Sequence, residues 1–303
     1  MKGLSRRDWL KSASLTSGLA LLGGNGIISS LSAEEIRKFN PRPLAGPIRL
    51  GSNENPYGPS ESMRKAMIAA FENSCRYPWT YNASLVKMIA EKEGVPENYI
   101  VPVAGSTEGL KVAGITFGQG GEIITCAPTF LSMMEYAELW GTEINWVSLT
   151  KDLDFDLDEI EKRVSAETKL VFLCNPNNPT GKLLPAQRVL DFCETVSKKT
   201  VVFSDEAYYD YITEPNYPSM VELVKKGQNV VVSRTLSKVY GLAGIRLGYL
   251  IAKPDLATKL RDRVVANTNI MAIEAGKAAL LDKEFYQFSL KKNEEAKSGG
   301  SIV

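Results

Sequence analysis

The sequence of 303 residues contains no histidine. This absence excludes hydrolases built on Ser-His-Asp or Cys-His groups, and it excludes zinc sites with histidine ligands. Any general base must therefore be a lysine, tyrosine, aspartate, glutamate or cysteine. A strong excess of charge is absent as well, since the formal net charge is +1. The chain as a whole creates no field that recruits nucleic acid or anionic lipid, so neither is an expected partner.

Cysteine is scarce, and the four cysteines include no Cys-x-x-Cys pair of the kind found in metal and redox sites. Three of them, Cys126, Cys174 and Cys193, lie in or beside apolar runs. We therefore expect buried thiols that pack as small hydrophobic side chains. A disulfide stays open at this point, because an export signal would allow one.

The chain also lacks an apolar run long enough to anchor it in a membrane. The longest candidate, residues 13–24, is short and rich in serine and glycine. It follows the run SRRDWLK at residues 5–11 and resembles a bacterial twin-arginine export signal. Residues 1–33 are thus predicted to be a signal peptide read by the twin-arginine machinery, which implies a periplasmic or exported protein. The alternative is a basic leader on a cytoplasmic protein.

The remaining sequence alternates apolar, β-branched runs with amphipathic segments of helical length. We predict an extended arm at 34–50, a large domain at 51–253 and a helical segment at 254–303. The predicted strands share continuous apolar character and cover residues 122–127, 143–149, 169–174, 200–204, 229–233 and 247–252. Such strands separated by helices predict an α/β fold, with a three-layer, mostly parallel sheet covered by helices on both faces.

The motif with the most chemical content is SRTLSK at residues 233–238, which ends a predicted strand. Lys238 lies among small and hydroxylic residues, and Arg246 follows eight positions later. A lysine with a lowered pKa forms Schiff bases, and an arginine with nearby hydroxyls suits a phosphate. The plain alternative is a solvated surface lysine.

Three further motifs follow strands or open a helix. Asp205 begins the run DEAY after a strand, where ligand-binding residues collect in open α/β sheets; alone, it could equally be a helix N-cap. Residues 174–181, CNPNNPTG, could be an ordinary turn. Residues 104–109, AGSTEG, could present free N–H groups to a phosphate at a helix start.

Together, the order and spacing of these motifs resemble the fold-type I enzymes that use pyridoxal 5'-phosphate, the aspartate aminotransferase superfamily. Within it, the run NENPYGP at residues 53–59 and RYP at 76–78 resemble the histidinol-phosphate aminotransferase group. The resemblance covers residues 50–292. It implies a homodimer and an amino-group transfer between an amino acid or amino phosphate and a 2-oxo acid such as 2-oxoglutarate.

The resemblance also implies roles for individual residues. Lys238 is expected to bind the cofactor covalently and to move the proton between the substrate's Cα and the cofactor's C4′. Asp205 is expected to keep the ring nitrogen protonated. The other expected contacts are Tyr208 and Asn178 to the ring hydroxyl, Phe130 stacked on the ring, Ser106, Thr107, Ser237 and Arg246 on the phosphate, Tyr77 on the phosphate of the neighbouring subunit's cofactor, and Tyr57 with Asn178 on the substrate side.

One departure from the family lies at the end of the chain. Members of the family continue into a small domain that supplies an arginine for the substrate carboxylate, but no arginine follows Arg263 here. We therefore expect the small C-terminal domain to be largely absent. Two alternatives to an aminotransferase stay open: a decarboxylase of the threonine-phosphate type, and a cofactor-binding relic without turnover. The sequence does not identify the substrate.

Overall fold

The computed structural model describes residues 49–299. The predicted export signal, nearly all of the predicted arm and residues 300–303 lie outside this range. Within it, no helix is both long and apolar enough to cross a bilayer.

A seven-stranded sheet in the order β1-β7-β6-β5-β4-β2-β3 forms the centre of the fold, with helices on both sides. Its strands are β1 Ile100–Val103, β2 Glu122–Ala127, β3 Glu143–Ser148, β4 Thr168–Cys174, β5 Val201–Asp205, β6 Val230–Thr235 and β7 Gly248–Ala252. The neighbours from β6 to β3 pair in parallel, and β7 pairs antiparallel with both β6 and β1. The predicted α/β fold with a mostly parallel sheet is confirmed.

The six predicted strands are present with ends shifted by at most two residues, whereas β1 was not predicted. This strand has four residues and includes Pro102, so it is too short to show a pattern in the sequence. It pairs only with β7, at an edge of the sheet, where a residue without an N–H group is tolerated.

The α-helices are α1 Glu61–Ala70, α2 Trp79–Glu93, α3 Ser106–Phe117, α4 Ser132–Glu138, α5 Leu157–Arg163, α6 Ala186–Val196, α7 Val221–Lys225, α8 Pro254–Arg261, α9 Ile270–Leu281 and α10 Lys283–Gly299. Ser60 caps α1, because its side chain accepts a hydrogen bond from the Met63 N–H. The helical segment predicted at 254–303 is interrupted between α8 and α9. The chain leaves the helix after Arg261 and starts again where the Asn269 side chain caps the Ala272 N–H at 2.7 Å.

The core follows the sheet, and its central strands bury every residue from Leu170 to Cys174 and from Val230 to Thr235. Phe172 and Phe203 stack across neighbouring strands with ring centres 6.0 Å apart. The cysteine prediction is confirmed: Cys126, Cys174 and Cys193 are buried, Cys75 is exposed, and all four are free thiols.

Candidate active site

The carboxyl ends of three neighbouring parallel strands meet at one edge of the sheet. In the strand register Cys174 of β4 lies beside Asp205 of β5, and Asp205 lies beside Ser233 of β6. The loops that follow these strands contain Asn178, Tyr208 and Lys238. Parallel strand direction thus brings together residues that are 60 positions apart in the sequence, as expected for an open α/β sheet.

A cavity of about 670 Å³ opens at this edge. A cavity of this size suits a small-molecule ligand. The predicted site residues that line it are Ser106, Thr107, Phe130, Asn178, Asp205, Tyr208, Ser237, Lys238 and Arg246.

Asp205 is almost completely buried, with 2% of its surface exposed. Its Oδ1 atom has no hydrogen-bond partner among the described residues. Burial raises the pKa of this carboxyl to about 7, although the Ala207 N–H, the nearby Ser233 hydroxyl and the charge of Lys238 lower it. A buried acceptor without a donor is costly, so the site is built for a donor that a ligand brings.

Lys238 reaches into the same cavity from the loop after β6. Its Nζ donates to the backbone oxygens of Ser52 at 3.1 Å and Asn53 at 3.2 Å, and lies 5.4 Å from the centre of the Tyr208 ring. Burial lowers the pKa of Lys238, and the charges of Glu54 and Asp205 oppose that change. A lysine with a lowered pKa releases its free amine, the form that attacks carbonyl carbons, more readily.

An anion cradle in the cavity lining lies where α3 begins. Gly105 has a φ of +82°, and a Cβ there would lie 2.2 Å from Arg246 Nη2. The Arg246 guanidinium therefore lies directly against the start of the helix, held by the Ala243 oxygen at 2.7 Å. Free N–H groups, the Ser106 and Thr107 hydroxyls and a guanidinium form a site for phosphate.

Two predicted site residues do not line the cavity. Tyr57 packs edge-on against Phe288, with ring centres 5.0 Å apart. Tyr77 is 77% exposed and lies beside Trp79. Their roles therefore stay predictions.

The sequence did not point to the two asparagines that contact Tyr208 and Val239, the residue after Lys238. The Asn53 amide donates to the Tyr208 hydroxyl at 3.1 Å, and the Asn55 amide donates to the Val239 oxygen at 3.0 Å. The run NENPYGP was used only as a family motif. Its two asparagines, of which Asn55 precedes a proline, were the available signal.

Comparison with known proteins agrees with this geometry. The sequence pattern of the family "Aminotransferase class I and II" matches residues 45–297. Histidinol-phosphate aminotransferase 1 of Bacillus anthracis is 36% identical over 250 residues, which are 82% of this chain and 67% of that protein.

Solved structures show the same likeness. Histidinol-phosphate aminotransferase from Sinorhizobium meliloti, in complex with pyridoxal-5'-phosphate, superposes with a TM-score of 0.76 at 27% identity, covering 90% of this chain and 75% of that one. L-threonine-O-3-phosphate decarboxylase from Porphyromonas gingivalis shares the fold, with a TM-score of 0.65 at 22% identity over 77% of this chain and 72% of that one. From the match over most of its length, this chain belongs to the aminotransferase class I and II family.

Proposed function

We propose that this protein is a pyridoxal-phosphate-dependent aminotransferase of the histidinol-phosphate type. Its substrates are an amino acid or amino phosphate and a 2-oxo acid such as 2-oxoglutarate. One observation carries the proposal: a buried carboxylate oxygen without a donor, on Asp205, lines the same cavity as a lysine whose pKa is lowered. Family membership supplies the reaction class.

The cavity lining contains residues that suit both the phosphate and the ring nitrogen of pyridoxal phosphate. The cradle of Ser106, Thr107, Ser237 and Arg246 would hold the phosphate, and Asp205 would hold the protonated ring nitrogen. When bound, pyridoxal phosphate supplies an electron-withdrawing ring that stabilises the negative charge left at the substrate's α-carbon. Phe130 lines the same cavity, as a stacking partner for the ring would.

The chain's own groups handle the protons. Asp205 keeps a proton on the ring nitrogen, because an ion pair relieves the cost of leaving its carboxylate buried alone. Lys238 Nζ takes the proton from the substrate's α-carbon, since it is the one amine in the lining of the cavity. Tyr208 and Asn178 line the side of the cavity next to Lys238 and would bind the ring hydroxyl and the substrate.

The test is to load the purified protein with pyridoxal phosphate and add candidate amino donors with 2-oxoglutarate. Formation of glutamate together with loss of the donor supports the aminotransferase. Release of carbon dioxide without glutamate supports instead a decarboxylase of the threonine-phosphate type. A Lys238-dependent visible band that no donor changes would identify a cofactor-binding relic without turnover, and would overturn the proposal.

We also propose a homodimer. Tyr77 and Trp79 support it, because two large aromatic side chains, 77% and 65% exposed, stand side by side with ring centres 5.7 Å apart. Exposed aromatic clusters of this kind are typical of interaction surfaces. Light scattering should give twice the monomer mass, and a Tyr77→Ala variant should weaken both the dimer and cofactor binding.

We further propose export through the twin-arginine machinery, which the run SRRDWLK supports. Replacement of Arg6 and Arg7 by lysine should leave the protein in the cytoplasm, as cell fractionation would show. Export that continues in this variant would contradict the proposal.

A further inference from the structure

Residues 51–58 form a strap, and its first four residues line the cavity. One residue of the strap, Asn53, contacts two of the three residues expected to be catalytic, Lys238 and Tyr208. The strap is anchored by the Asn55 amide, which donates to the Val239 oxygen and to Ser289 Oγ, both at 3.0 Å. It is also packed tightly at Gly58, whose oxygen would lie 2.6 Å from a Cβ on Gly241.

The backbone at Asn53 is specialised. Its φ of +49° lies in the left-handed region, which asparagine tolerates far better than most residues. This conformation lets one residue present two groups to the cavity. Its backbone oxygen accepts from Lys238 Nζ at 3.2 Å, and its side-chain amide donates to the Tyr208 hydroxyl at 3.1 Å.

The direction of the second hydrogen bond restricts where the Tyr208 proton can point. Asn53 Nδ2 is a donor, so it occupies a lone pair of the Tyr208 oxygen and cannot accept its hydrogen. Among residues 49–299, no other hydrogen bond involves the Tyr208 hydroxyl. Its hydrogen is therefore available to an acceptor in the cavity, which Tyr208 lines.

We propose that Asn53 is a positioning residue that orients the Tyr208 hydroxyl, so that this hydroxyl donates its hydrogen to the ring oxygen of the bound cofactor. The inference rests on the proposed function, because it needs a cofactor oxygen as acceptor. The Asn53 backbone oxygen accepts from Lys238 Nζ, whereas the Asn53 side chain acts through Tyr208.

The consequence is a shift in the acidity of the Lys238-linked chromophore. A hydrogen bond donated to an ionised oxygen favours the ionised form and lowers the pKa of the group that shares its proton. Loss of the Asn53 amide should therefore raise the pH at which the visible band changes. A neutral hydrogen bond corresponds to a shift of about 0.3–1 pH unit. Because this hydrogen bond is exposed, the lower end is expected.

The experiment is a pH titration of the visible band in the full chain loaded with pyridoxal phosphate. Asn53→Gly keeps the positive φ and the backbone oxygen for Lys238 but removes the amide. Asn216→Gly is the matched control, since Asn216 is also exposed and has a φ of +59°. We expect the midpoint to rise in Asn53→Gly and to stay unchanged in Asn216→Gly.

A double-mutant cycle separates positioning from a general structural effect. Tyr208→Phe should raise the midpoint at least as much as Asn53→Gly, and Asn53→Gly should add nothing in the Tyr208→Phe background. Asn53→Asp, which tolerates the same backbone, replaces the donor by an acceptor and should also raise the midpoint. If Asn53→Gly folds poorly, Asn53→Asp provides the test in its place.

Two results would overturn the inference. One is an unchanged midpoint in Asn53→Gly and Asn53→Asp. The other is an equal shift in the presence and absence of the Tyr208 hydroxyl, which would mean that Asn53 acts on Lys238 alone. A wild-type protein without any Lys238-dependent band would instead contradict the proposed function itself, so the two failures are distinguishable.

Discussion

Asp205 and Glu206 are neighbouring carboxylates at the end of β5, with exposures of 2% and 3%, yet their surroundings differ completely. Glu206 accepts hydrogen bonds from the Met220 N–H and the Ser219 hydroxyl, both at 2.8 Å, and pairs with the Arg234 guanidinium at 2.8 Å. Asp205 has an Oδ1 atom without any partner among the described residues. Successive residues of a strand point to opposite faces, so one carboxylate meets the fold's own donors and the other meets the cavity.

The difference separates a structural charge from a functional one. Burial lowers the pKa of Arg234, but the carboxylates of Glu206 and Glu93 outweigh that effect and raise it, so the guanidinium stays charged. The charges of this pair neutralise each other without a ligand, although Arg234 Nε has no hydrogen-bond partner among the described residues. The pair joins the strand that carries Asp205 to the strand that leads to Lys238. Asp205 is complete only when a ligand donates to it.

The largest effect is expected when the Glu206 carboxylate is removed from its ion pair with Arg234. Glu206→Ala leaves the Arg234 guanidinium buried without its closest carboxylate, and should lower the free energy of unfolding by about 3–5 kcal/mol. Chemical denaturation of the apoprotein measures it. Glu194→Ala is the control: its carboxylate is 38% exposed and lies 3.8 Å from Lys226, so its removal should cost less than about 1 kcal/mol. Equal losses in both variants would contradict the comparison.

Replacement of the unsatisfied carboxylate should harm the reaction and spare the fold. Asp205→Asn cannot hold a proton on the ring nitrogen through an ion pair, and kcat should fall by about 10²–10³-fold. The Lys238-linked visible band should still form. A variant that keeps activity within a few-fold of the wild type would show that Asp205 does not serve the cofactor.

The pH dependence of stability should also distinguish Asp205. Its pKa of about 7 in the folded protein lies above the value of 3.8 for an exposed carboxyl, so the folded state binds the extra proton. Stability from this group is complete below pH 4 and is lost as the pH rises to about 7, with a loss on the order of 4 kcal/mol. In the apoprotein, Asp205→Asn should lack this decline. If the stability of the wild type and of Asp205→Asn changed with pH in the same way, the raised pKa of Asp205 would be contradicted.

A smaller effect is expected at the anion cradle. In Gly105→Ala, alanine would have to adopt the strained φ of +82°, and its Cβ would clash with the Arg246 guanidinium. We therefore expect binding of pyridoxal phosphate to weaken by about 5- to 100-fold. Gly227→Ala has a similar φ of +75° but open space around its Cβ, so it should bind normally. Fluorescence titration of the apoproteins measures both affinities, and equal affinities would place the phosphate elsewhere.

The sequence predicted the fold class and six strands because these depend on local patterns. Apolar runs mark buried strands, and parallel strands bring their carboxyl ends to one edge. Asp205 and Lys238 were each predicted to follow a strand, and both line the cavity at that edge of the sheet. Family resemblance added Phe130 and the phosphate residues, which residue patterns alone would not have connected.

The rest depended on contacts between distant residues. The hydrogen bond from Asn53 to Tyr208 spans 155 positions, and the pair of Glu206 with Arg234 joins two strands through their side chains. No periodicity in one sequence encodes such partners. The break after Arg261 was missed because helix-forming residues lie on both sides of it. Only the Asn269 cap marked the restart of the helix.

The central claim is that Lys238 holds the cofactor in the cavity that Asp205 lines. The most direct measurement is to load the protein with pyridoxal phosphate, reduce it with borohydride and map the modified residue by mass spectrometry. We predict a single stable adduct on Lys238, absent from Lys238→Ala. Modification of another lysine at equal yield, or none at all, would contradict the account.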